Sequence, residues 1–148
     1  VISDTHGLIR PQALDALRGC AQIVHAGDVG SAAVLTALRE IAPVVAVRGN
    51  VDREVWAYGL PKTAVVEVGE ARLYVLHDLY TLDLDLKASG FAAVISGHSH
   101  RATVSRRDGL LYLNPGSAGP GRFGLSVSVV RLTVDGSRLE AEVVELAV

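Results

Sequence analysis

Short apolar runs alternate with helical patterns from Val1 to Val47, and this order constrains the fold more than any other feature of the chain. Val1–Ile2 has the character of a strand end. Pro11 to Leu17 reads as a helix, with Pro11 near the first helical position and Leu14 and Leu17 three apart. Ile23-Val24 is a short strand. Ser31 suits the N-cap of a helix whose apolar positions are Val34, Leu35, Leu38 and Ile41. Val44 to Val47 is another strand. Strand, helix, strand, helix, strand predicts parallel strands joined by right-handed crossovers.

Beyond Val47 the pattern changes. Thr63–Val68 and Arg72–Leu76 flank the turn pair Gly69-Glu70. Ala102–Arg106 and Leu110–Leu113 flank Asp108-Gly109, and Leu125–Val134 and Arg138–Leu146 flank Asp135-Gly136. Ala92–Ile95 reads as a buried strand, and Leu82–Ala88 as a helix. An α/β start followed by antiparallel hairpins fits two sheets packed together with helices outside. No repeat, low-complexity block or linker divides the chain, so residues 1–148 are expected to form a single domain.

Composition closes off several function classes. The chain is 49% hydrophobic and 20% charged, ordinary for a globular domain, and its formal charge of −2 gives no basic footprint for a nucleic acid polymer. Its apolar runs fall far short of the roughly 20 residues that span a bilayer, so no membrane partner is expected. Cys20 is alone and reads as a buried structural thiol. The sequence holds no methionine, so a few N-terminal residues of the native chain are expected to be missing. No signal peptide is visible, which makes the cytoplasm the expected location.

The acids and histidines stand where strands end. Asp4 and His6 follow the first strand, Asp28 the second and Asn50 the third; His77 follows Arg72–Leu76, and His98 and His100 follow Ala92–Ile95. Loops after the C-termini of parallel strands share one edge of a sheet, where ligands bind. Carboxylate, amide and imidazole donors together favour Mn, Fe, Zn, Ni or Co over Ca or Mg. Two ions sharing one carboxylate take about seven protein donors and clamp a phosphoryl group for in-line displacement. A water bridging two cations loses its proton near neutral pH and becomes the nucleophile. Taken singly, Asp-x-His, Gly-Asp, Gly-Asn and a lone histidine are ordinary features of turns. Jointly they use four of the five histidines in order, each after a strand. His25, the fifth, reads as a packing residue at a strand end.

These motifs, Asp4-x-His6, Gly27-Asp28, Gly49-Asn50-x-Asp52, His77 and Gly97-His98-Ser99-His100, resemble those of the calcineurin-like metallophosphoesterases. The ending Asn114-Pro115-Gly116-Ser117 is similar to the compact bacterial and archaeal phosphodiesterase branch. The resemblance implies an α/β fold, a four-layer α/β/β/α sandwich of two mixed sheets, with two divalent metal ions, manganese foremost and Fe, Ni, Co or Zn as alternatives. By that resemblance one ion takes Asp4, His6, Asp28 and His100. The other takes Asp28, Asn50, His77 and His98, with Asp28 shared, and Asp28, Asn50 and His98 carry the catalysis.

Three departures from the family pattern bear on substrate. Val51 stands where many relatives place a histidine that protonates the leaving group, which points to phosphodiesters with good leaving groups. The arginine-bearing extension of protein serine/threonine phosphatases is absent after Gly27-Asp28. Asp78 follows His77 where relatives usually place glycine. Asp52 is expected to orient a neighbour through a hydrogen bond, and Asn114–Ser117 to form a supporting turn. Arg48 and Arg101 flank ligand motifs and are the expected phosphate contacts; Arg53 and Arg122 are expected at the solvated surface. The expected activity is hydrolysis of a small phosphodiester. The alternative is a protein-interaction scaffold, as in the retromer subunit of the same fold. Leu139–Leu146 could pair within the domain or with another chain, which leaves the oligomeric state open.

Overall fold

The computed structural model describes residues 1–148. Its elements in chain order are α1 (Pro11–Ala16), β1 (Ile23–His25), α2 (Ala32–Arg39), β2 (Val44–Ala46), β3 (Thr63–Val68), β4 (Ala71–Leu76), β5 (Ala93–Ile95), β6 (Thr103–Arg107), β7 (Leu110–Asn114), β8 (Ser128–Asp135) and β9 (Arg138–Glu145).

β1 and β2 pair in parallel, as the helix between them requires. The leading segment Val1–Ile2 lies on the other side of β1, where Ile2 N donates to Val24 O and Ala26 N to Ile2 O, both at 2.9 Å. On its far side Val130 N donates to Val1 O at 2.9 Å. Two residues thus join the β1–β2 pair to the antiparallel β8–β9 hairpin. The second sheet runs β3-β4-β5-β7-β6. Its three central strands are mutually parallel, and β3 and β6 are antiparallel edges.

Side chains alternate faces along a strand, and the short leading segment shows the consequence. Val1 and Val130 point into the core between the sheets with Val47, Val66, Leu73, Val75, Ile95 and Leu113. Ile2 and Val129 point the other way, under the helices with Leu17, Val34, Leu35 and Leu38. Half-buried Cys20 packs against this second cluster. Truncating a fully buried residue such as Leu38 to alanine costs about 2–5 kcal/mol.

The fold is mixed α/β with a mixed central sheet, but helices cover only one outer face. The other face is covered by Leu86 and Phe91 on the segment between β4 and β5, against Leu76, Val94 and Leu110. The helix expected over Leu82–Ala88 is not formed; a single 3-10 turn at Leu79–Thr81 and further turns stand there. Asp78 Oδ1 accepts from Tyr80 N, and Asp85 Oδ1 accepts from Ala88 N. Both aspartates satisfy local amides in place of a helical ladder.

Two smaller expectations also change. Ser31 occupies the N-cap position of α2, but its hydroxyl makes no capping bond. The strand expected from Leu125 begins at Ser128, because a turn closed by Leu125 N to Arg122 O precedes it. At the β6–β7 turn, Asp108 and Gly109 both have positive φ, as a two-residue type I′ hairpin demands. No helix is long and apolar enough to cross a membrane.

Candidate metal centre

Asp4, His6, Asp28, Asn50, His77, His98 and His100 all lie on loops at one edge of the paired sheets, just past Ile2, β1, β2, β4 and β5. Five of them, Asp4, His6, Asp28, His98 and His100, have φ between 48° and 69°. That left-handed region costs a non-glycine residue about 1–3 kcal/mol, so the neighbouring loops must hold each one. They do so by close backbone approach. A Cβ at Gly49 would strike the Asp28 amide and carboxylate, and one at Gly97 would strike Ser3 Oγ and the Asp4 carboxylate. Glycine is therefore required at both positions.

The donors form two groups, Asp4–His6–His100 and Asp28–His77–His98. In the first, His6 Nε2 and His100 Nε2 are 3.3 Å apart, and Asp4 Oδ1 lies 3.4 Å from His100 Nε2 and 3.9 Å from His6 Nε2. In the second, Asn50 Oδ1 lies 3.0 Å from His77 Nε2 and 3.1 Å from His98 Nδ1. His77 Nε2 stands 3.3 Å from His98 Nδ1 and 3.2 Å from Asp28 Oδ2. Asp28 Oδ2 is also 3.8 Å from His6 Nε2, so this oxygen faces both groups.

N and O donors held ~2.0–2.2 Å from a single ion stand roughly 3–3.5 Å from one another; most of these pairs fit that spacing, while Asp4 and His6 stand wider at 3.9 Å and the donors of each group all lie within 4.8 Å. A second observation points the same way. Asp4 Oδ1 is buried with no hydrogen-bond partner, which a carboxylate tolerates only beside a compensating charge. The other oxygen is satisfied by Ser3 Oγ at 2.6 Å and His98 N at 3.0 Å. His100 Nδ1 is likewise buried without a partner. His77 Nδ1 donates to Ala26 O at 2.8 Å, which fixes the ring so that Nε2 is the nitrogen turned towards Asp28 and the other donors.

Electrostatics follow burial and pairing. Burial raises the Asp4 carboxyl above its usual range, against the Ser3 hydrogen bond and the nearby histidines. Burial also acts to raise Asp28, but hydrogen bonds from His77 and Val51 N outweigh it and the net shift is downward. For His77, burial pulls down and Asp28 pulls up, with a net rise. Burial lowers His6 and His100, and the positive charge of Arg122 acts on both in the same direction.

The surrounding residues brace these loops. Asp52 is buried and accepts from Val29 N at 3.1 Å, Gly30 N at 2.9 Å and Gly49 N at 2.9 Å, tying the Asp28 loop to the Asn50 loop. All three partners are backbone amides, none of them a ligand side chain. Val51 donates its amide to Asp28 Oδ1 at 3.0 Å, a bond independent of its side chain. Asn114 Nδ2 donates to Gly97 O and Ser99 Oγ, and Ser117 Oγ donates to Asp4 O. His25 is not among the donors: its Nδ1 accepts from Gly27 N, and its Nε2 therefore donates to Thr5 Oγ1 at 3.0 Å. Burial holds its pKa down at about 3.

Among the arginines, Arg48 lines a cleft of about 250 Å³ with Asn50, His77, His98 and Lys62, and no hydrophobic residue lines it. Arg101 is exposed, with its backbone N on Ser99 Oγ. Arg53 donates to Asn50 O. Lys62 and Arg122 carry no sequence signal of a site; one follows a proline in a loop and the other sits in a glycine-rich tract. Asp78 turns its carboxylate to the outer side of His98, with Oδ2 3.9 Å from Nε2. The added carboxylate thus stands behind a ligand.

Residues 1–137 match the model of the calcineurin-like phosphoesterase superfamily domain. The chain belongs to that superfamily. It is 37% identical to a protein of Methanothermobacter thermautotrophicus named "probable metallophosphoesterase", over 97% of this chain and 90% of the relative. Among solved structures, the phosphoesterase fold is shared with an archaeal phosphodiesterase at TM-score 0.80 and 22% identity, covering 97% of both chains. It is also shared with Vps29 of Entamoeba histolytica in complex with Zn²⁺, at TM-score 0.75 and 24% identity, covering 97% of this chain and 96% of the other. As a superfamily member, this chain is a metal-dependent phosphoesterase, and the two donor groups are its candidate metal ligands.

Proposed function

We propose that this phosphoesterase holds two divalent ions and hydrolyses small phosphodiesters. The observation that carries the reading is the position of Asp28 Oδ2, which faces the histidines of both donor groups, 3.8 Å from His6 and 3.2 Å from His77. On this reading Asp4, His6, Asp28 and His100 hold one ion, and Asp28, Asn50, His77 and His98 hold the other. When bound, the two ions supply positive charge to the phosphoryl oxygens and lower the pKa of water enough for it to attack at neutral pH. Manganese is the foremost candidate by the family resemblance, and donor type leaves Fe, Ni, Co and Zn close to it.

The chain's own residues set where the substrate lies. His98 is the most exposed histidine of the set, at 46% for its side chain, and stands at the mouth of the cleft that Arg48 lines. A phosphodiester entering there meets the Arg48 guanidinium, a bidentate partner for non-bridging oxygens. Arg101, on the loop just after His100, is a second contact for the substrate. No acid replaces the side chain of Val51, half exposed at 45%, so leaving groups that need a proton are disfavoured.

The test is hydrolysis of bis(p-nitrophenyl) phosphate with added Mn²⁺, for wild type, Asp28→Ala and His98→Ala. Turnover by wild type alone supports the reading, and equal slow turnover by all three ends it. A protein-interaction scaffold is the second reading, favoured by the likeness to Vps29. A scaffold need not retain two metals per chain, so elemental analysis of the purified protein separates the two.

A further inference from the structure

Phe123 is the largest unexplained apolar residue beside the centre. It is 81% exposed and has φ 58°, a conformation that a bulky side chain rarely adopts. Its ring stands edge-on to the His100 ring, with centroids 6.3 Å apart at 71°. So exposed a side chain gains little from burial to offset that backbone cost.

The loop beneath it is rigidly tied to the Asp4–His6 loop. Ala118 N donates to Ser3 O at 3.0 Å, and Arg10 donates twice to Gly119 O at 3.2 and 3.1 Å. A Cβ at Gly119 would collide with the Asp4 and Thr5 carbonyls. The tip is closed by Leu125 N to Arg122 O at 3.0 Å. The base is thus locked to the metal-ligand loop while the tip projects a ring beside His100.

We infer that Phe123 is a stacking platform for a flat ring, aryl or nucleobase, carried on one ester arm of the substrate. An exposed aromatic face takes any planar ring by stacking and is indifferent to its hydrogen-bonding pattern. Arg122, its neighbour in the chain, supplies a cation suited to a phosphoryl oxygen of the ring-bearing arm. The inference rests on the phosphoesterase reading of the centre, and it names the substrate class that the centre receives.

The test measures binding, so it stands whether or not turnover is found. Benzylphosphonate, ethylphosphonate and the methylenephosphonate analogue of thymidine 5′-phosphate are inert and differ in the ring they carry. Their affinities for the Mn²⁺-loaded protein are compared by calorimetry in wild type, Phe123→Leu, Phe123→Trp and Tyr80→Leu. Wild type is expected to bind the ringed ligands about tenfold more tightly than ethylphosphonate. Phe123→Leu, apolar but not planar, loses that discrimination, and Phe123→Trp keeps it. Tyr80, 99% exposed with a ring paired to no histidine, is the control, and its loss leaves the discrimination in place. A preference confined to benzylphosphonate or to the thymidine analogue identifies which ring the platform serves. No discrimination in wild type, or discrimination that survives Phe123→Leu or vanishes in Tyr80→Leu, overturns the inference. Ring-dependent binding without hydrolysis of any diester would keep the platform and remove the phosphodiesterase reading; hydrolysis without ring-dependent binding would do the reverse.

Discussion

The two donor groups sit on one sheet edge and differ in how far solvent reaches them. In the Asp4–His6–His100 group the side chains are 0%, 12% and 6% exposed. In the other, His77 and Asp28 are as well covered, but Asn50 is exposed and His98 is 46% exposed. Donor spacings run from 3.3 to 3.9 Å in the first group; in the second, Asn50, His77 and His98 stand 3.0–3.3 Å apart and Asp28 lies 3.2 Å from His77. The closed group is built into the core, with its carboxylate fully buried. The open group gathers Asn50, His77 and His98 closely at the cleft. On the proposed reading, an ion in the closed group has few routes of exchange and the open group receives the substrate.

The largest effect erases the comparison altogether. Asp28→Ala removes the oxygen that faces both groups, and activity on an aryl diester is expected to fall by more than about a hundredfold, beyond what loss of a supporting residue costs. Bound metal falls in parallel, read by elemental analysis; retention of two ions would show that the groups are independent. Next comes Asp52→Asn. It keeps the shape but weakens a charged acceptor of three amides that positions the Asp28 and Asn50 loops together. Metal affinity is expected to drop about 10–100-fold, and an unchanged affinity would make the brace dispensable.

The third prediction sets the two groups against each other. Burial raises the Asp4 carboxyl, so keeping it charged opposes folding in the metal-free protein. Asp4→Asn is expected to stabilise that form by about 0.5–2 kcal/mol in urea melts while removing an ion from the loaded form. His98→Ala also removes an ion, but it is exposed and should leave metal-free stability within about 0.5 kcal/mol. Equal effects would break the distinction between closed and open. The smallest effect concerns His25, behind the closed group. Its pKa is lowered from 6.5 to about 3, so its contribution is present above pH 6.5 and is lost as pH falls towards 3. From about pH 6.5 to about pH 5.5 this costs the folded state roughly 1 kcal/mol. His25→Gln should flatten that part of the stability–pH curve of the metal-free protein.

The donors were legible in the sequence because each follows a strand and several follow a glycine; the parallel order of β1 and β2 does the rest. What supports them was less so. Asp52 was readable as an orienting residue, but its partners, the amides of Val29, Gly30 and Gly49, are backbone groups that no residue type announces. Leu82–Ala88 misled because leucines at 82, 84 and 86 alternate with aspartates, a two-residue period that gives no helical stripe. Phe123 sits in a glycine-rich tract without period, so nothing local set its place beside His100. The joining role of Val1–Ile2 depends on partners far along the chain, which short-range patterns do not encode.

That join has a consequence for the order of events in synthesis. Val1 and Val130 are 129 residues apart and hydrogen-bond to each other. Asp4, three positions beyond Val1, has its backbone carbonyl held by Ser117. A nascent chain therefore carries its first metal donors long before it carries the residues that lock them in place. Contacts of such separation form slowly, and the Asp4 loop gains its Ser117 tether only after most of the chain has been made. During translation the early donors wait on a half-built edge, and capture of the metal becomes one of the last steps in making the protein.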